Sequence, residues 1–344
     1  MLTSAGIVAG FSTFHDKYFF IKRQVAYGLI PGIAAFFLFF HLPYPVLKKI
    51  ATPYFFFTLF RLLAVFIPGI GSNLGTASRS WIVLWGHSFQ PVEFAKLGLI
   101  MYMAAFLSAK GKDITSVREG FIPALTVGFL PVALALIQPD VGTAAILFTI
   151  LFGILFMAEA NIWHLASLAG VGVAVFILLI IAAPYRIARF TTFLHPELDP
   201  LGKGYQVNQA LVAIGSGGFF GLGLGHSRQK FEYLPEVHAD SIFAIFGEEM
   251  GFVFCALFIV LLLLICYRGL IIAKRAPDPF GRLVVAGIVL WFMVQSFLNI
   301  GAAVNILPLT GVPLPFVSHG GTALMVALAA VGIIMNVSRE SVRA

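Results

Sequence analysis

Charged residues are scarce in this chain: only 11% of its 344 residues are Asp, Glu, Lys or Arg, while 60% are hydrophobic. Soluble domains carry roughly 25% charged residues. A water-soluble fold of this length has too little interior to bury so much apolar surface, which excludes a soluble globular protein. The composition therefore predicts a protein embedded in the lipid bilayer.

Cysteine is nearly absent as well, with Cys255 and Cys266 in a single apolar run. Eleven helical residues separate the two by about 16 Å along the axis, which is too far for a disulfide. The sequence therefore contains neither a disulfide framework nor a cysteine metal motif.

Two further kinds of binding site are missing from the sequence. No basic patch with interleaved aromatic residues accompanies the net charge of +7, so we expect no nucleic-acid partner. The glycine-rich run GSGGFFGLGLG at 215–225 follows neither the dinucleotide fingerprint nor the phosphate-binding loop. We therefore expect no organic cofactor.

Nine apolar segments of helix length predict an all-α, polytopic integral membrane protein. Residues 1–14 are apolar but too short to span, and they look like the end of a helix whose beginning is missing. The nine segments lie at about 24–40, 53–70, 91–108, 120–137, 141–158, 162–183, 242–267, 282–304 and 320–337.

The distribution of Lys and Arg predicts the orientation in the membrane. One set of short loops and the C-terminal end is rich in these residues, and the opposite set holds only Lys17, Lys22, Arg23 and Arg79. We expect the rich set to face the cytoplasm, which places the long connection at about 184–241 outside it. Apolar spacings in that connection predict a half-buried helix along the outer interface.

Most of the remaining charges collect between Gly215 and Gly251, where the long connection runs into an apolar helix. Acids and bases gathered at one membrane face are typical of a site that does chemistry or binds a charged ligand. The residues that form this cluster are Arg228, Lys230, Glu232, Glu236, His238, Asp240, Glu248 and Glu249.

Asp240 directly precedes an apolar run, so its carboxylate is either a helix N-cap or a general base or metal ligand. Glu236 lies one helical turn earlier, with His238 between them. Carboxylates in differing environments are what glycosyl chemistry uses. Arg228 and Lys230 carry the charge to neutralise a diphosphate or to bind anionic lipid headgroups.

Other polar residues lie within or beside apolar segments. Glu248 and Glu249 are adjacent, and adjacent helical residues point about 100° apart, so we expect that they do not share a partner and that at least one faces a polar cavity. Glu93 and Lys96, three residues apart, form a structural ion pair or line that cavity. Asp140 fits a tight turn.

The stretch at 307–321 is rich in proline and glycine, which predicts irregular backbone at membrane depth. Such backbone is tolerated only where it is buried in protein or lines a cavity. It therefore favours a central polar cavity open to the outside.

Five stretches of this sequence, in this order, resemble the SEDS family of bacterial cell-wall proteins, which includes FtsW, RodA and SpoVE. The stretches lie between residues 90 and 321, and the resemblance implies a single SEDS transmembrane domain over residues 1–344. The stretches are QPVEFAK at 90–96, QPDVGTA at 138–144, AIGSGG at 213–218, GLGLGHSRQKFEYLPEVHADSIFAIFGEE at 221–249 and LPLTGVPLPFVSHGG at 307–321.

The resemblance implies a ten-helix fold, of which this chain holds nine full spans and the end of the first helix. It implies polymerisation of lipid II into glycan strands of peptidoglycan at the outer face of the bacterial cytoplasmic membrane. A class B penicillin-binding protein cross-links those strands. By this resemblance, we expect the 4-hydroxyl of an acceptor GlcNAc to attack the anomeric carbon of a lipid-linked MurNAc, with undecaprenyl diphosphate as the leaving group.

The family's essential aspartate matches Asp240, which the resemblance makes the catalytic candidate, as the base or as a ligand of a divalent cation such as Mg²⁺ or Mn²⁺. Such a cation is held by one or two carboxylates and substrate oxygens, so no dedicated metal cage is expected. The substrate-binding candidates are Arg228, Lys230, Glu236, His238, Glu93, Lys96, Arg79 and Ser318.

Besides its incomplete first helix, the chain departs from the family pattern in two places. Many members have an Arg immediately before the tryptophan, but here Arg79 is separated from Trp81 by Ser80. The last motif reads SHGGT at 318–322 instead of SYGGS.

Phrases such as SRQKFEYLPE, FAIFGEE and IIMNVSRE resemble the FtsW and SpoVE branch, whereas GVPLPF is common in RodA. We therefore expect the division branch, with other divisome proteins as partners and the division septum as location. An elongation polymerase of the RodA type stays open.

Two functions of other classes also stay open. A lipid II flippase needs charges along its whole path, and Glu93, Lys96 and Arg61 would belong to that path. A structural scaffold of the divisome would not need the carboxylate of Asp240.

Overall fold

The computed structural model describes residues 19–73, 78–84, 87–198, 202, 204–230 and 240–343. The chain forms two compact units, each assembled from three stretches. Unit 1 comprises Met1–Ala26, Gly170–Ile265 and Gln295–Gly320, and unit 2 comprises Tyr27–Ala169, Cys266–Val294 and Gly321–Ala344.

Helices dominate the described residues. The first, α1, runs from Phe19–Gln24 through a π-helical turn at Val25–Leu29 into Ile30–His41. The others are Tyr44–Ala64 (α2), Pro91–Lys110 (α3), the two halves Ile122–Gly128 and Leu130–Ile137 (α4), Val141–Met157 (α5), Ile162–Ile181 (α6), Pro184–Leu194 (α7), Tyr205–Ser216 (α8), Ile242–Lys274 (α9), Pro279–Ala303 (α10) and Gly321–Arg343 (α11).

A small antiparallel sheet of three strands lies between α2 and α3 in the chain. Its strands are Gly71–Ser72 (β1), Trp81–Leu84 (β2) and His87–Phe89 (β3), in the order β1-β2-β3. Gly71 stands opposite Ile82, and Val83 stands opposite Ser88. The sheet belongs to unit 2.

Each of the nine predicted apolar segments coincides with one of these helices, which confirms an all-α, multi-pass membrane protein. Among the described residues, seven helical stretches are long and apolar enough to cross a membrane. Of the other two predicted spans, α5 is a shorter apolar helix and α2 is not one of the seven, so the count of nine full spans stays a prediction. The count of ten helices stays a prediction, because residues 1–14 lie outside the described part of the chain.

Two predicted boundaries were wrong. The segment predicted at 53–70 is the helix Tyr44–Ala64, which contains the lysines that looked like loop residues. The ammonium of Lys48 lies 5.8 Å from the centroid of the Phe280 ring, since a long lysine stem can cover apolar surface. The segment 120–137 is broken at Phe129, because Pro131 has no amide hydrogen to donate to the preceding turn.

In unit 2, α11 packs closely along α1. A Cβ at Gly32 would lie 3.2 Å from the Cα of Met325, and one at Gly332 would lie 2.5 Å from the carbonyl oxygen of Phe36. The Asn336 amide donates to the carbonyls of Phe39, Phe40 and Leu42. This single side chain therefore satisfies carbonyls that the end of α1 leaves without helical partners.

In unit 1, the core forms around the first turns of α9. Every residue from Ile242 to Phe246 is buried. They pack with apolar residues of α8, of the end of α10 and of the 307–320 stretch, namely Ala210, Ala213, Ala303, Leu314 and Val317. The predicted irregular backbone is confirmed: Gly311 and Phe316 have φ of 69° and 65°, and the stretch packs into this core.

Candidate active site

Asp240 lies at the N-terminal end of α9, where two amide side chains hold the backbone. Asn299 Nδ2, on α10, donates to the main-chain oxygen of Asp240 at 3.0 Å. Gln206 Nε2, on α8, donates to the hydroxyl of Ser241 at 3.1 Å. The candidate carboxylate is thus carried by a backbone that is fixed from two neighbouring helices.

The carboxylate of Asp240 faces the irregular stretch that follows α10. A Cβ at Gly311 would lie 3.9 Å from Asp240 Oδ2, and the φ of 69° at Gly311 favours glycine. Asn299 Nδ2 also donates to the Val312 carbonyl at 2.8 Å, and Gln295 Nε2 donates to the Pro313 carbonyl at 2.8 Å. Amides of α10 therefore hold this backbone beside Asp240.

A cavity of about 270 Å³ lies in the same unit, lined by residues of α7 and α8 and by Leu309. Gln206, which bonds Ser241, is one of its lining residues. Arg189 also lines it and donates to the Leu309 carbonyl at 3.4 Å. The cavity therefore reaches a side chain that contacts the residue next to Asp240.

The prediction that Glu248 and Glu249 do not share a partner was wrong. Glu248 accepts hydrogen bonds from the backbone N–H of Arg228 and from the Ser227 hydroxyl. Glu249 Oε1 accepts from Lys230 Nζ at 2.7 Å and from the N–H of Ser227 at 3.3 Å. Both carboxylates bind one four-residue turn, because this turn wraps around the end of a helix segment.

That helix segment ends because α9 is broken at Gly251, whose φ of 77° and ψ of −178° are not helical. The glycine-rich run pairs with the break: the N–H groups of Leu222 and Gly223 donate to the carbonyls of Glu248 and Glu249 at 2.9 and 3.0 Å. The run thereby supplies donors for helix carbonyls that a membrane leaves without water.

The pairing also runs in the other direction. The N–H groups of Phe252 and Val253 donate to the carbonyls of Gly218 and Phe219 at 2.9 and 3.1 Å. A Cβ at Gly221 would lie 2.2 Å from the carbonyl oxygen of Glu249, so only glycine allows this approach.

Arg228 and Lys230, both predicted to bind substrate, differ in their surroundings. Lys230 is 5% exposed, and its ammonium is held by Glu249. The Arg228 side chain is exposed, and its guanidinium makes no ion pair with the residues that the structure describes. Within the described part of the chain, the charge of Lys230 is paired with Glu249, whereas that of Arg228 is exposed.

The second predicted pair, Glu93 and Lys96, lies in unit 2 at the start of α3. Lys96 Nζ is 2.7 Å from Glu93 Oε1 and 5.0 Å from the centroid of the Trp291 ring. Glu93 Oε2 is buried and accepts no hydrogen bond from the described residues. The ion pair is therefore confirmed, and one carboxylate oxygen remains able to accept a further donor.

Asp140 has the predicted turn role and caps α5. Its carboxylate accepts from the N–H of Thr143 at 3.0 Å and from the Thr143 hydroxyl at 2.8 Å. Burial raises the pKa of Asp140 above its ordinary value, although the Thr143 hydrogen bonds and the charge of Lys96 act against this.

The structure gives two more candidates intramolecular contacts. Arg79 donates to the carbonyls of Ile67 and Gly71 at 3.4 and 3.2 Å, which holds the chain that leads into β1. The Ser318 hydroxyl accepts from the N–H of Leu314 at 2.8 Å and closes a turn. Glu236 and His238 lie outside the described residues, so their predicted roles stay predictions.

Sequence reasoning missed the amides that surround Asp240, which are Gln206, Gln295 and Asn299. A signal was present for two of them: Gln295 and Asn299 are four residues apart in an otherwise apolar span, so they share one helix face. Polar side chains inside a span face protein or a cavity, because exposure to lipid is costly.

The residues present fit a weakly held divalent cation better than a dedicated metal site. Within the described ranges, no group of three or more His, Cys, Asp and Glu residues could hold a metal ion. Asp240 offers one carboxylate, and Mg²⁺ is commonly bound by one or two carboxylates with substrate oxygens.

The sequence matches known proteins along its whole length. A family model that covers FtsW, RodA and SpoVE, described as "Cell cycle protein", matches residues 1–343. Stage V sporulation protein E of Bacillus subtilis is 43% identical over 341 residues, 99% of this chain and 93% of that protein. A probable peptidoglycan glycosyltransferase FtsW of Geobacter sp. (strain M18) is 40% identical, with coverage of 98% and 92%.

Solved structures share the fold. The chain matches a structure titled "Structural coordination of polymerization and crosslinking by a peptidoglycan synthase complex" with a TM-score of 0.78, 29% identity, and coverage of 99% of this chain and 97% of that chain. The crystal structure of the rod shape determining protein RodA of Thermus thermophilus gives a TM-score of 0.70 at 28% identity, with coverage of 98% and 95%.

Proposed function

This chain belongs to the FtsW, RodA and SpoVE family, and from that membership we propose that it is a peptidoglycan glycosyltransferase. FtsW relatives of this family at 36 to 40% identity are named probable peptidoglycan glycosyltransferases. The observation that carries the proposal in this chain is the placement of Asp240, fixed at the start of α9 by amides of α8 and α10.

The proposed reaction joins two lipid-linked disaccharides of the lipid II type. The 4-hydroxyl oxygen of the acceptor GlcNAc forms a bond to the anomeric carbon of the donor MurNAc. The bond from that carbon to the phosphate oxygen breaks, and undecaprenyl diphosphate leaves with the electron pair. As general base, Asp240 accepts the hydroxyl proton, a role that contributes about 10²- to 10⁴-fold in rate.

Arg228 is the residue that we propose to bind the diphosphate. Its guanidinium is exposed, and a turn held by Glu248 fixes its backbone. Two parallel N–H donors suit a phosphate. Lys230 supports the turn through Glu249 instead.

A divalent cation on Asp240 would supply positive charge that stabilises the leaving diphosphate. We expect a chelator to abolish polymerisation in that case, and Mg²⁺ or Mn²⁺ to restore it. Activity that survives chelation would leave Asp240 as the base.

The proposed partner is a class B penicillin-binding protein that cross-links the new strands. A matching solved structure is described as a synthase complex in which polymerisation and cross-linking are coordinated, which supports a partner of this kind. With SpoVE and FtsW among its relatives, we further propose action with other divisome proteins at the division septum.

Two contacts favour an enzyme over a lipid II flippase. Lys96 is paired with Glu93, and the guanidinium of Arg61 lies 3.9 Å from the centroid of the Phe94 ring. Charges along a transport path must remain available to the moving diphosphate, whereas these are engaged by protein groups.

Polymerisation of lipid II by the purified chain with its transpeptidase partner tests the proposal. We compare the unaltered chain with Asp240→Asn, and use Asp140→Asn as a matched control that changes a carboxylate of structural role. Product from the unaltered chain and the control, with about 10²- to 10⁴-fold less from Asp240→Asn, supports the proposal. Equal product from all three would show that Asp240 is not catalytic.

A further inference from the structure

Asn299 is a buried amide in an apolar span. It lies near the end of α10 and is only 2% exposed. A polar group buried this deeply is costly unless its hydrogen bonds are made. The hydrogen bonds of Asn299 must therefore offset the cost of burying its amide.

Two carbonyl groups fix the orientation of this amide. Asn299 Nδ2 donates to the main-chain oxygens of Asp240 at 3.0 Å and Val312 at 2.8 Å. The opposite orientation would point Oδ1 at two acceptors, which is repulsive. The Nδ2 atom is therefore the group that faces Asp240.

Through these two bonds, Asn299 connects three parts of unit 1 at one point. They are the helix α10, the backbone of Asp240, and the irregular stretch whose Gly311 faces the Asp240 carboxylate. The position of Asp240 relative to that stretch depends directly on this amide.

Gln295 provides an internal comparison one turn earlier on the same helix face. Its Nε2 donates to the Pro313 carbonyl at 2.8 Å, in the same stretch and next to the Val312 carbonyl. Asn299 also donates to the main-chain oxygen of Asp240.

We propose that Asn299 is a positioning residue for Asp240, which sets the carboxylate where the acceptor hydroxyl meets the donor anomeric carbon. The inference rests on the proposed glycosyltransferase function. It predicts that loss of the amide lowers the rate of the chemical step and leaves substrate affinity unchanged, because Asn299 holds the backbone of the base.

The test compares Asn299→Leu, Gln295→Leu and Asp240→Asn in the full chain with its transpeptidase partner, with kcat and KM measured for lipid II. We expect Asn299→Leu to lower kcat about 10- to 100-fold at unchanged KM, since a misplacement of about 1 Å costs up to about 100-fold. Gln295→Leu removes the hydrogen bond to Pro313 and keeps the hydrogen bond from Asn299 to Asp240, so it should lower kcat less than Asn299→Leu does.

Melting temperatures of all variants separate positioning from folding. If Asn299→Leu does not fold, Asn299→Ser is measured in its place. The serine side chain is too short to reach the carbonyls of both Asp240 and Val312. We expect the same selective loss of kcat in a folded Asn299→Ser protein. A folded variant with unaltered kcat would overturn the inference.

The outcomes distinguish this inference from the proposed function. If the unaltered chain binds lipid II and forms no glycan, the proposed function itself fails. If the unaltered chain is active and Asp240→Asn is not, while Asn299→Leu and Gln295→Leu lower kcat equally, only the positioning role fails. A rise in KM with constant kcat for Asn299→Leu would also overturn it.

Discussion

Two buried ion pairs in this protein have the same length and different origins. Lys96 and Glu93 in unit 2 lie 2.7 Å apart within one helical turn, and Lys230 and Glu249 in unit 1 also lie 2.7 Å apart. The first pair needs only a helix to form. The second joins residues 19 positions apart, across a turn and a broken helix, so it forms only when the tertiary structure brings them together.

The partners of each carboxylate sharpen this difference. Glu249 also accepts from the N–H of Ser227, so it binds backbone as well as a charge. Glu93 contacts Lys96 through one oxygen, and its other oxygen has no donor among the described residues. The pair in unit 1 therefore cannot be removed without disturbing a turn, whereas Glu93 and Lys96 lie on a single helix.

The largest effect is expected for Glu249→Leu. It leaves the buried ammonium of Lys230 without its carboxylate and the N–H of Ser227 without this acceptor. Breaking a buried pair costs about 3–5 kcal/mol. Denaturant unfolding in detergent measures this loss, and a change below about 1 kcal/mol would show that the pair is not buried as described.

Double substitution should separate the two pairs. Replacing both partners of Glu93–Lys96 by Leu and Met removes the two charges of the pair together, and such a replacement is often close to neutral. The same change at Glu249 and Lys230 still leaves the Ser227 N–H without this acceptor, which costs about 1–3 kcal/mol. Equal unfolding free energies for the two double variants would contradict the comparison.

Arg228→Ala tests the turn that the unit 1 pair supports. The side chain is exposed, so we expect the free energy of unfolding to change by less than about 0.5 kcal/mol. Loss of a charged donor to the diphosphate should raise KM for lipid II about tenfold, equivalent to about 1.4 kcal/mol. Arg118→Ala, which removes another exposed arginine, serves as a control for a change in surface charge alone.

The smallest effect is expected for Asp140→Asn, which removes a charge that acts on Lys96 while it keeps a good N-cap residue. Burial raises the pKa of Asp140 in the folded chain, so the ionised form is disfavoured relative to the unfolded chain. The free energy of unfolding of the unaltered chain therefore falls as the pH rises from the pKa of Asp140 in the unfolded chain through its higher pKa in the folded chain.

The Asn variant lacks this carboxyl titration. At neutral pH, the free energy of unfolding of the Asn variant should exceed that of the unaltered chain by the largest amount. In acid this difference should disappear, as unfolding at several pH values would show. A variant that loses stability at neutral pH would show that the Asp140 charge supports the Glu93–Lys96 pair.

The sequence predicted most helices because apolar runs of helix length have few alternatives in a membrane. It misplaced the start of α2, because Lys48 and Lys49 resemble loop residues by charge, although their stems lie on a helix. It predicted Asp240 through the family motif. The position of Asp240 relative to Asn299 is a contact across 59 residues, which no local pattern contains.

The turn around Glu248 and Glu249 was mispredicted for a related reason. The angle of 100° between neighbours describes side chains that leave a helix sideways, toward separate partners. Here the helix segment stops at Gly251, and the chain from 217 to 230 folds over its end. Gly251 in an apolar run was the available signal, since an interior glycine weakens a helix.

The partner of the break in α9 is synthesised before the break itself. The carbonyls of Glu248 and Glu249 and the N–H groups of Phe252 and Val253 bond to residues 218–223, which leave the ribosome earlier. The nascent chain therefore already carries the partner of the break when Gly251 emerges. We expect Gly221→Val to hinder insertion of α9 in particular, and glycosylation mapping of nascent chains that end after Lys274 would detect this. Normal insertion of α9 in that variant would show that the break enters the membrane independently of the glycine-rich run.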